Sequence, residues 1–190
     1  PAGTTNVWAI EQGQKPFSWW QWWNLRENAR LLANVEPQSV DVGVCNDRPF
    51  LLWAGIGLDA QTIRRIEPRP RFFKHMAVPH YFATTVMEAT FWHGMDLRVY
   101  ADDKLVEGHY LVAVANNIRR YAGGLSVLSP DALLDDGEMD MWLLSGDSLA
   151  DAFRHFFELV SGRHLNSDHA RRLPFRNVRI ESDANFSIQV

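Results

Sequence analysis

Two short stretches of this sequence carry side chains that could act on a phosphate or a hydroxyl group. In the opening GTTN, Gly3 would let the backbone approach an anion, the threonine hydroxyls could donate to phosphate oxygens, and Asn6 could hold the turn. In LDDGE, the acids Asp135, Asp136 and Glu138 fall at a turn that leads into a strand pattern. Paired carboxylates can take a proton from a hydroxyl or hold a divalent cation near phosphates. Each stretch also has a plain interpretation, as a capped turn and a solvated Asp-Gly turn.

The elements that would position these stretches alternate between helical and strand patterns. Ser18 is placed to cap a helix over Trp19 to Ala33, another helix is predicted from His75 to His93, and a third begins after Asp147 or Ser148. Strands are predicted in VDVGVC and FLLWAGIGLDA as one hairpin, in DLRVYADDKLVEGHYLVAVANN as a second, and in EMDMWLLSG, VRIES and FSIQV. Hairpin-connected strands outnumber helices, which predicts an α+β fold built as a mainly antiparallel β-sandwich with a few helices.

Composition excludes several classes of protein. The 190 residues are 46% hydrophobic and can bury one core, and the net charge of -4 gives no overall attraction to nucleic acid. Cys45 is the only cysteine, so no internal disulfide or cysteine-rich metal site can form, which agrees with a reducing, cytoplasmic location. No apolar run approaches the roughly 20 residues of a membrane span. Two stretches differ from this overall composition. The stretch from Arg64 to Lys74 is basic and could attract anionic headgroups, and SWWQWW is rich in tryptophan.

The four tryptophans of SWWQWW cannot all face one core. At least one of them is expected to contact another lobe, a partner or a membrane interface.

Gly55 and Gly57 interrupt a strand pattern and indicate a bulge or a close backbone approach. Asp59, two residues after Gly57, could face a nucleotide or a metal, and a cap on the next segment is the favoured alternative. An aromatic stripe has two open interpretations, core packing or the wall of an acyl-chain pocket: Phe72, Phe73, Tyr81, Phe82, Phe91 and Trp92.

The order of these pieces resembles a known family. The elements GT-x-N, VDVGV, FLLWAGIGLDA, NN, GGL and P-x-A-x-L-D-D-G-x-M-D together resemble the diacylglycerol kinase and sphingosine kinase-like lipid kinases, particularly their bacterial members. The resemblance runs from Gly3 to Val190, and its strongest part is Gly123 to Asp140. It implies the second domain of the NAD kinase/diacylglycerol kinase-like fold. Residues 1–35 would then be the end of a nucleotide-binding lobe with its connecting helix, and residues 36–190 the β-rich lobe, in a fragment of a longer protein.

The resemblance also implies a reaction and a set of site residues. ATP would donate its γ-phosphate to the hydroxyl of a lipid such as diacylglycerol or a sphingoid base, with Mg²⁺ bridging the phosphates. By the same resemblance, Gly3, Thr4 and Asn6 would contact the nucleotide. Glu138 would accept the proton of the hydroxyl, with Asp136 beside it, and no metal ligand is specified.

One residue departs from the family pattern. Val7 stands where the family has an aspartate, and valine can neither bind magnesium nor accept a proton. Two hypotheses therefore follow, an ATP-dependent lipid kinase of which this fragment alone is inactive, or a non-catalytic lipid-binding or regulatory module. Both predict a lipid partner, allow peripheral contact with a membrane from the cytoplasm, and leave homodimerisation open.

Overall fold

The structure of the chain, a computed structural model, describes residues 5–66 and 77–190. Gly3, Thr4 and most of the basic and aromatic stretch before position 77 lie outside the described residues. Among the helices that the structure describes, none is long and apolar enough to cross a membrane. The α-helices in the described part are α1 Val7–Glu11, α2 Trp23–Asn34, α3 Leu58–Ile66, α4 Ala77–Phe91 and α5 Leu149–Ser161.

The strands of the described residues pair antiparallel throughout, most of them in one seven-stranded sheet. The longest strand, β5, is central: residues 104–110 pair with β4, and residues 112–116 pair with β3 on one edge and β8 on the other. The sheet continues through β9 beside β8, β10 beside β4 and β11 beside β3. Bounds are β1 Gly43–Cys45, β2 Arg48–Phe50, β3 Trp53–Gly57, β4 Met95–Ala101, β5 Lys104–Asn116, β6 Arg120–Tyr121, β7 Ser126–Val127, β8 Met139–Ser145, β9 Ala170–Phe175, β10 Val178–Glu181 and β11 Ile188–Gln189.

A β-bulge in β5 changes which of its side chains pack into each of the two apolar clusters, one on each face of the sheet. Strict alternation sends Ala113 and Ala115 into the cluster enclosed by the sheet, while Val112 and Val114 pack on the face covered by α3, α4 and α5. The register shifts between Tyr110 and Val112, so Leu111 faces the helices together with Val112. One extra residue therefore turns β5 from its pairing with β4 toward its pairing with β3 and β8.

The predicted fold class, an α+β protein with a mainly antiparallel β-sandwich, is confirmed. The predicted strand FLLWAGIGLDA is wrong at both ends, because β2 ends at Phe50, β3 begins only at Trp53, and α3 begins at Leu58. The predicted hairpin is wrong in its pairing: β1 pairs with β2, and β3 pairs with β5. The backbone of Gly57 has φ +84°, and a Cβ atom there would lie 2.6 Å from the carbonyl oxygen of Leu111. The predicted close approach at this glycine is thus what ends the strand.

Strand β9 has no counterpart in the sequence prediction. Its residues ARRLPF contain adjacent charges and Pro174, which are weak strand signals. Among the described residues β9 pairs only with β8, so its other edge has no partner strand. Proline lacks a backbone N–H, and on that free edge the loss breaks no hydrogen bond between strands. The remaining predicted strands, and the helix capped by Ser148, are present.

Candidate functional site

Asn6, the last residue of the opening motif, directly precedes α1. Asn6 adopts a left-handed conformation with φ 46°, which asparagine tolerates better than most residues. Its carbonyl accepts a 3.0 Å hydrogen bond from the amide of Ile10 and so starts α1. This bond uses only the backbone of Asn6, so the role predicted for its side chain stays a prediction.

A buried carboxylate fastens α1 to a distant loop. The side chain of Glu11 is only 2% exposed, and its Oε1 atom accepts a 2.6 Å hydrogen bond from Nε of Arg119. The guanidinium of Arg120 lies 3.8 Å from the other oxygen. Because an unpaired buried carboxylate is costly, the two arginines keep α1 against the loop that follows β5.

The same loop carries the double glycine of the sequence pattern. Gly123 and Gly124 both have positive φ, at +69° and +87°, which favours glycine. A Cβ atom on Gly123 would lie 3.1 Å from Cγ2 of Thr5, and one on Gly124 would lie 3.9 Å from Cγ2 of Val7. The two motifs, far apart in sequence, therefore meet in the fold.

A cavity of about 830 Å³ lies where these motifs meet. Thr5, Asn6 and Val7 line one part of it, and the remaining walls are mostly apolar. Trp53 and Tyr121 contact each other edge to face across 5.4 Å between ring centroids. The other lining residues in the described part are Ile10, Pro16, Phe17, Pro49, Phe50, Leu51, Leu52, Asp59, Ile63, Ala122, Gly123, Leu125, Gln189 and Val190.

Asp59 is the only carboxylate side chain among the described residues that line this cavity. It lies in the first turn of α3 and is 7% exposed. Its Oδ2 atom is so close to the backbone of β3 that a Cβ atom on Gly55 would lie 2.1 Å from it. The place of Asp59 in the first turn of α3 agrees with a cap on this helix, and Gly55, four residues earlier, leaves the space that its carboxylate occupies.

The asparagine pair at the end of β5 supports the cavity wall. Both side chains are buried, and Nδ2 of Asn117 donates to the carbonyls of Asp41 and Leu51 at 2.9 and 3.0 Å. The amide of Asn117 also donates to the carbonyl of Leu52. Asn117 therefore positions Leu51 and Leu52, which line the cavity.

The acidic loop lies at a different place. Asp136 and Glu138 are exposed, and neither lines the cavity that holds Asn6. Oδ1 of Asp136 accepts a hydrogen bond from the amide of Glu138, while Glu138 pairs with Arg176 at 3.3 Å. Strand β8 begins only at Met139, so strand alternation does not place Asp136 and Glu138 on one side. A hydrogen bond from the amide of Gly137 to the Asp41 carboxylate holds the loop.

A second cavity, of about 900 Å³, opens beside this loop. Gly137 and Arg176 line it, next to apolar residues of β3, β8 and β10. The carboxylate of Asp102 accepts hydrogen bonds from the amides of Asn177 and Arg176, which lower the pKa of Asp102. The turn containing Asp102 thus anchors the segment that bears Arg176. The two cavities share Phe50 in their walls.

The first cavity carries polar residues as well as apolar walls. Thr5 and Asn6, whose side chains bear a hydroxyl and an amide, line it, and such groups can hydrogen-bond phosphate oxygens. In the part of the chain that the structure describes, no group of three or more histidine, cysteine, aspartate or glutamate residues could hold a metal. Magnesium at nucleotide phosphates needs only one or two carboxylates from a protein, and among the described residues this cavity offers Asp59.

The fold and these motifs define the β-rich lobe of a lipid kinase-like protein. Residues 53–190 match the YegS C-terminal NAD kinase beta sandwich-like domain, and the chain belongs to that family. It is 26% identical over 174 residues to a diacylglycerol kinase of Bacillus subtilis (strain 168), covering 89% of this chain and 53% of that protein. Over 87 residues it is 33% identical to sphingoid long-chain bases kinase 1 of Arabidopsis thaliana, covering 44% of this chain and 11% of that protein.

A solved structure shows the same fold. The crystal structure of a diacylglycerol kinase from Bacillus anthracis strain Sterne superposes with a TM-score of 0.70 at 20% identity, covering 100% of this chain and 59% of that one. The chain thus spans a little over half the length of its bacterial relatives. The resemblance noted in the sequence, to diacylglycerol and sphingosine kinase-like proteins, is confirmed at the level of family.

Proposed function

We propose that the intact protein containing this chain is an ATP-dependent lipid kinase that phosphorylates a lipid hydroxyl. The observation that carries the proposal is the placement of one carboxylate, Asp59, in a largely apolar cavity that also holds Thr5 and Asn6. An apolar wall suits an acyl or sphingoid chain, whereas the three polar side chains suit a hydroxyl and phosphate oxygens. The family supports this choice of reaction class.

The reaction requires a proton acceptor for the lipid hydroxyl. In our proposal Asp59 accepts that proton as the lipid oxygen forms its bond to phosphorus and the bond from phosphorus to the departing ADP oxygen breaks. ATP, when bound, supplies the phosphoryl group, with Gly3, Thr4 and Asn6 as its proposed contacts. Asn6 and Thr5 would hold phosphate oxygens in line with the hydroxyl, because positioning supplies much of the rate in this chemistry.

A second carboxylate competes for the same role. The resemblance implies Glu138 as the proton acceptor with Asp136 beside it, and Glu138 adjoins the segment that lines the second cavity. Its pairing with Arg176 would orient it. We favour Asp59 because it faces the cavity that contains Asn6, and one experiment separates the two.

The test is transfer of labelled γ-phosphate from ATP to diacylglycerol and sphingoid bases by the intact protein. Variants would be Asp59→Asn and Glu138→Gln, with Asp103→Asn in an exposed turn as the matched control. We expect Asp59→Asn to lower kcat by at least about 100-fold, the size typical of a lost general base, and the control to be unchanged. Loss of activity in Glu138→Gln but not in Asp59→Asn would assign the proton to Glu138 instead.

The alternative function is a lipid-binding module without catalysis. It is favoured by Val7, which lies on the cavity wall where the family pattern has an aspartate. Well-folded intact protein that binds these lipids but forms no labelled product would support the module. The lipid kinase proposal also divides the chain at residue 35, with residues 1–35 at the end of a nucleotide-binding lobe and residues 36–190 in the β-rich lobe. It predicts that residues 1–190 alone transfer no phosphate.

A further inference from the structure

Helix α2 turns a polar side toward the rest of the chain. Asn24 and Asn28 are its buried residues. Nδ2 of Asn24 donates to the carbonyl of Pro16 at 2.9 Å, and Nδ2 of Asn28 donates to the carbonyl of Lys15 at 2.8 Å. The amide of Lys15 returns a hydrogen bond of 2.9 Å to Asn28. Polar anchoring of this kind leaves the apolar side chains of the helix facing outward, the reverse of an ordinary surface helix.

The outward side of α2 continues the tryptophan-rich segment before it. Trp22, directly before α2, and Leu25 and Leu32, on the flank of α2 beside Asn28, are 66%, 48% and 57% exposed. Trp19 and Trp20, in the short 3-10 helix just ahead, are 85% and 88% exposed. We call these five residues the tryptophan face. No described residue covers it, although such a concentration of exposed aromatic surface is uncommon on a soluble protein.

The tryptophan face lies next to the proposed lipid cavity. Phe17 lines that cavity, and its ring contacts the ring of Trp19 edge to face, with 5.4 Å between centroids. Pro16, which anchors Asn24, is also a lining residue. A surface that bound the tryptophan face would therefore lie beside the wall of the cavity.

The charges around the face favour an anionic surface. Lys15, Arg26 and Arg30 accompany a single acidic residue, Glu27, between positions 15 and 34, in a chain whose net charge is -4. Arg26 and Arg30 are exposed, and Glu27 is paired with Lys15. This segment is thus locally basic in an acidic protein, which matches the negative surface of a membrane that carries anionic lipids.

We propose that the tryptophan face docks into the interface of an anionic lipid bilayer, next to the mouth of the cavity. Indole rings combine an apolar body with one N–H donor and favour the headgroup region of a bilayer, and neighbouring arginines add attraction to anionic headgroups. The choice of a membrane as the occupant rests on the proposed lipid kinase function. Docking here would let a lipid reach the cavity without crossing bulk water.

The test uses the intact protein and vesicles of phosphatidylcholine with and without 30% phosphatidylserine, the composition being our choice of probe. The variant is Trp19→Ser/Trp20→Ser/Trp22→Ser, and the matched control is Phe91→Ser/Phe157→Ser, which removes two other exposed aromatic rings. We expect the tryptophan variant to bind the anionic vesicles at least about tenfold more weakly, since apolar insertion and charge act together. The control should bind normally. Brominated lipids should quench the fluorescence of the wild type but much less that of the variant.

Three further measurements make each failure distinct. Equal vesicle binding by the wild type and the tryptophan variant would overturn the docking proposal. Without vesicles, tryptophans of the wild type that are already shielded from acrylamide quenching would overturn it too. So would a difference in oligomeric state between the wild type and the variant, measured by sedimentation. These last results would mean that another part of the protein or a second copy covers the face. Phosphorylation of a short-chain diacylglycerol in detergent micelles reports on the kinase alone: its absence from a wild type that still binds vesicles through the face would refute the function and leave the docking intact.

Discussion

The carboxylate of Glu11 lies 2.6 Å from Nε of Arg119, and this contact joins two segments separated by 108 residues. It holds the helix that follows Asn6 against the loop that contains Gly123. The geometry of the candidate nucleotide contact therefore depends on an ion pair outside the motif itself.

Replacing Glu11 by Gln should loosen α1. The change removes the charge that pairs with Arg119, whose own side chain is half exposed, so we expect the opening free energy of α1 to fall by about 1–3 kcal/mol. Hydrogen–deuterium exchange of the α1 amides in the intact protein measures this. Glu27→Gln, which breaks an exposed pair with Lys15, is the matched control and should change stability by less than about 1 kcal/mol. Equal effects of the two changes would contradict the role given to Glu11.

Replacing Gly55 by Ala should displace the Asp59 carboxylate. The added methyl group would lie 2.1 Å from Oδ2 of Asp59, which forces one of the two to move. We expect unfolding to become easier by about 1–3 kcal/mol and kinase activity to fall with it. Thermal unfolding and the labelled-phosphate assay measure the two effects.

A double variant separates the steric effect from the chemical one. In Gly55→Ala/Asp59→Ala the colliding carboxylate is gone, so stability should recover relative to Gly55→Ala while activity stays low. Recovery of activity in the double variant would show that Asp59 takes no part in proton transfer.

The cap of α5 should make stability depend on pH at the acid end. The hydroxyl of Ser148 donates to Asp151 at 2.7 Å and the amide of Asp147 donates to it at 3.0 Å, and these bonds lower the pKa of Asp151 to about 2. A depressed carboxyl pKa stabilises the fold above the unfolded value of 3.8 and loses this contribution as pH falls through about 2.

Ser148→Ala should return the pKa of Asp151 toward its ordinary value and cost about 1 kcal/mol at neutral pH through the lost cap. Titration of the Asp151 carboxyl by NMR, with unfolding measured from pH 6 to pH 2, checks both effects. The Ser182→Ala change, at a half-buried position just after β10, serves as the control. An unchanged Asp151 pKa in the Ser148 variant would disprove the role of the hydroxyl.

Local patterns in the sequence were sufficient for most of the fold. The short apolar run of MDMWLL and the Ser148 cap each specify an element through residues close together in the chain, so β8 and α5 were predictable. The boundary at Gly57 was not, because the strand ends through a contact with Leu111 of another strand. Strand β9 escaped prediction because its partner β8, rather than its own residues, keeps it extended.

The sequence by itself determined which chemistry-bearing residues are present: the opening GTTN motif, the double glycine, the acidic loop and, through their order, the family. Only the tertiary structure decided which of them meet. It brings Thr5 to Gly123 and places Asp59 on the cavity of Asn6, while it holds Asp136 and Glu138 on a separate loop. The physical reason is that these neighbours are set by strand register, the bulge in β5 and buried ion pairs, which join residues far apart in the chain and leave no local pattern in it.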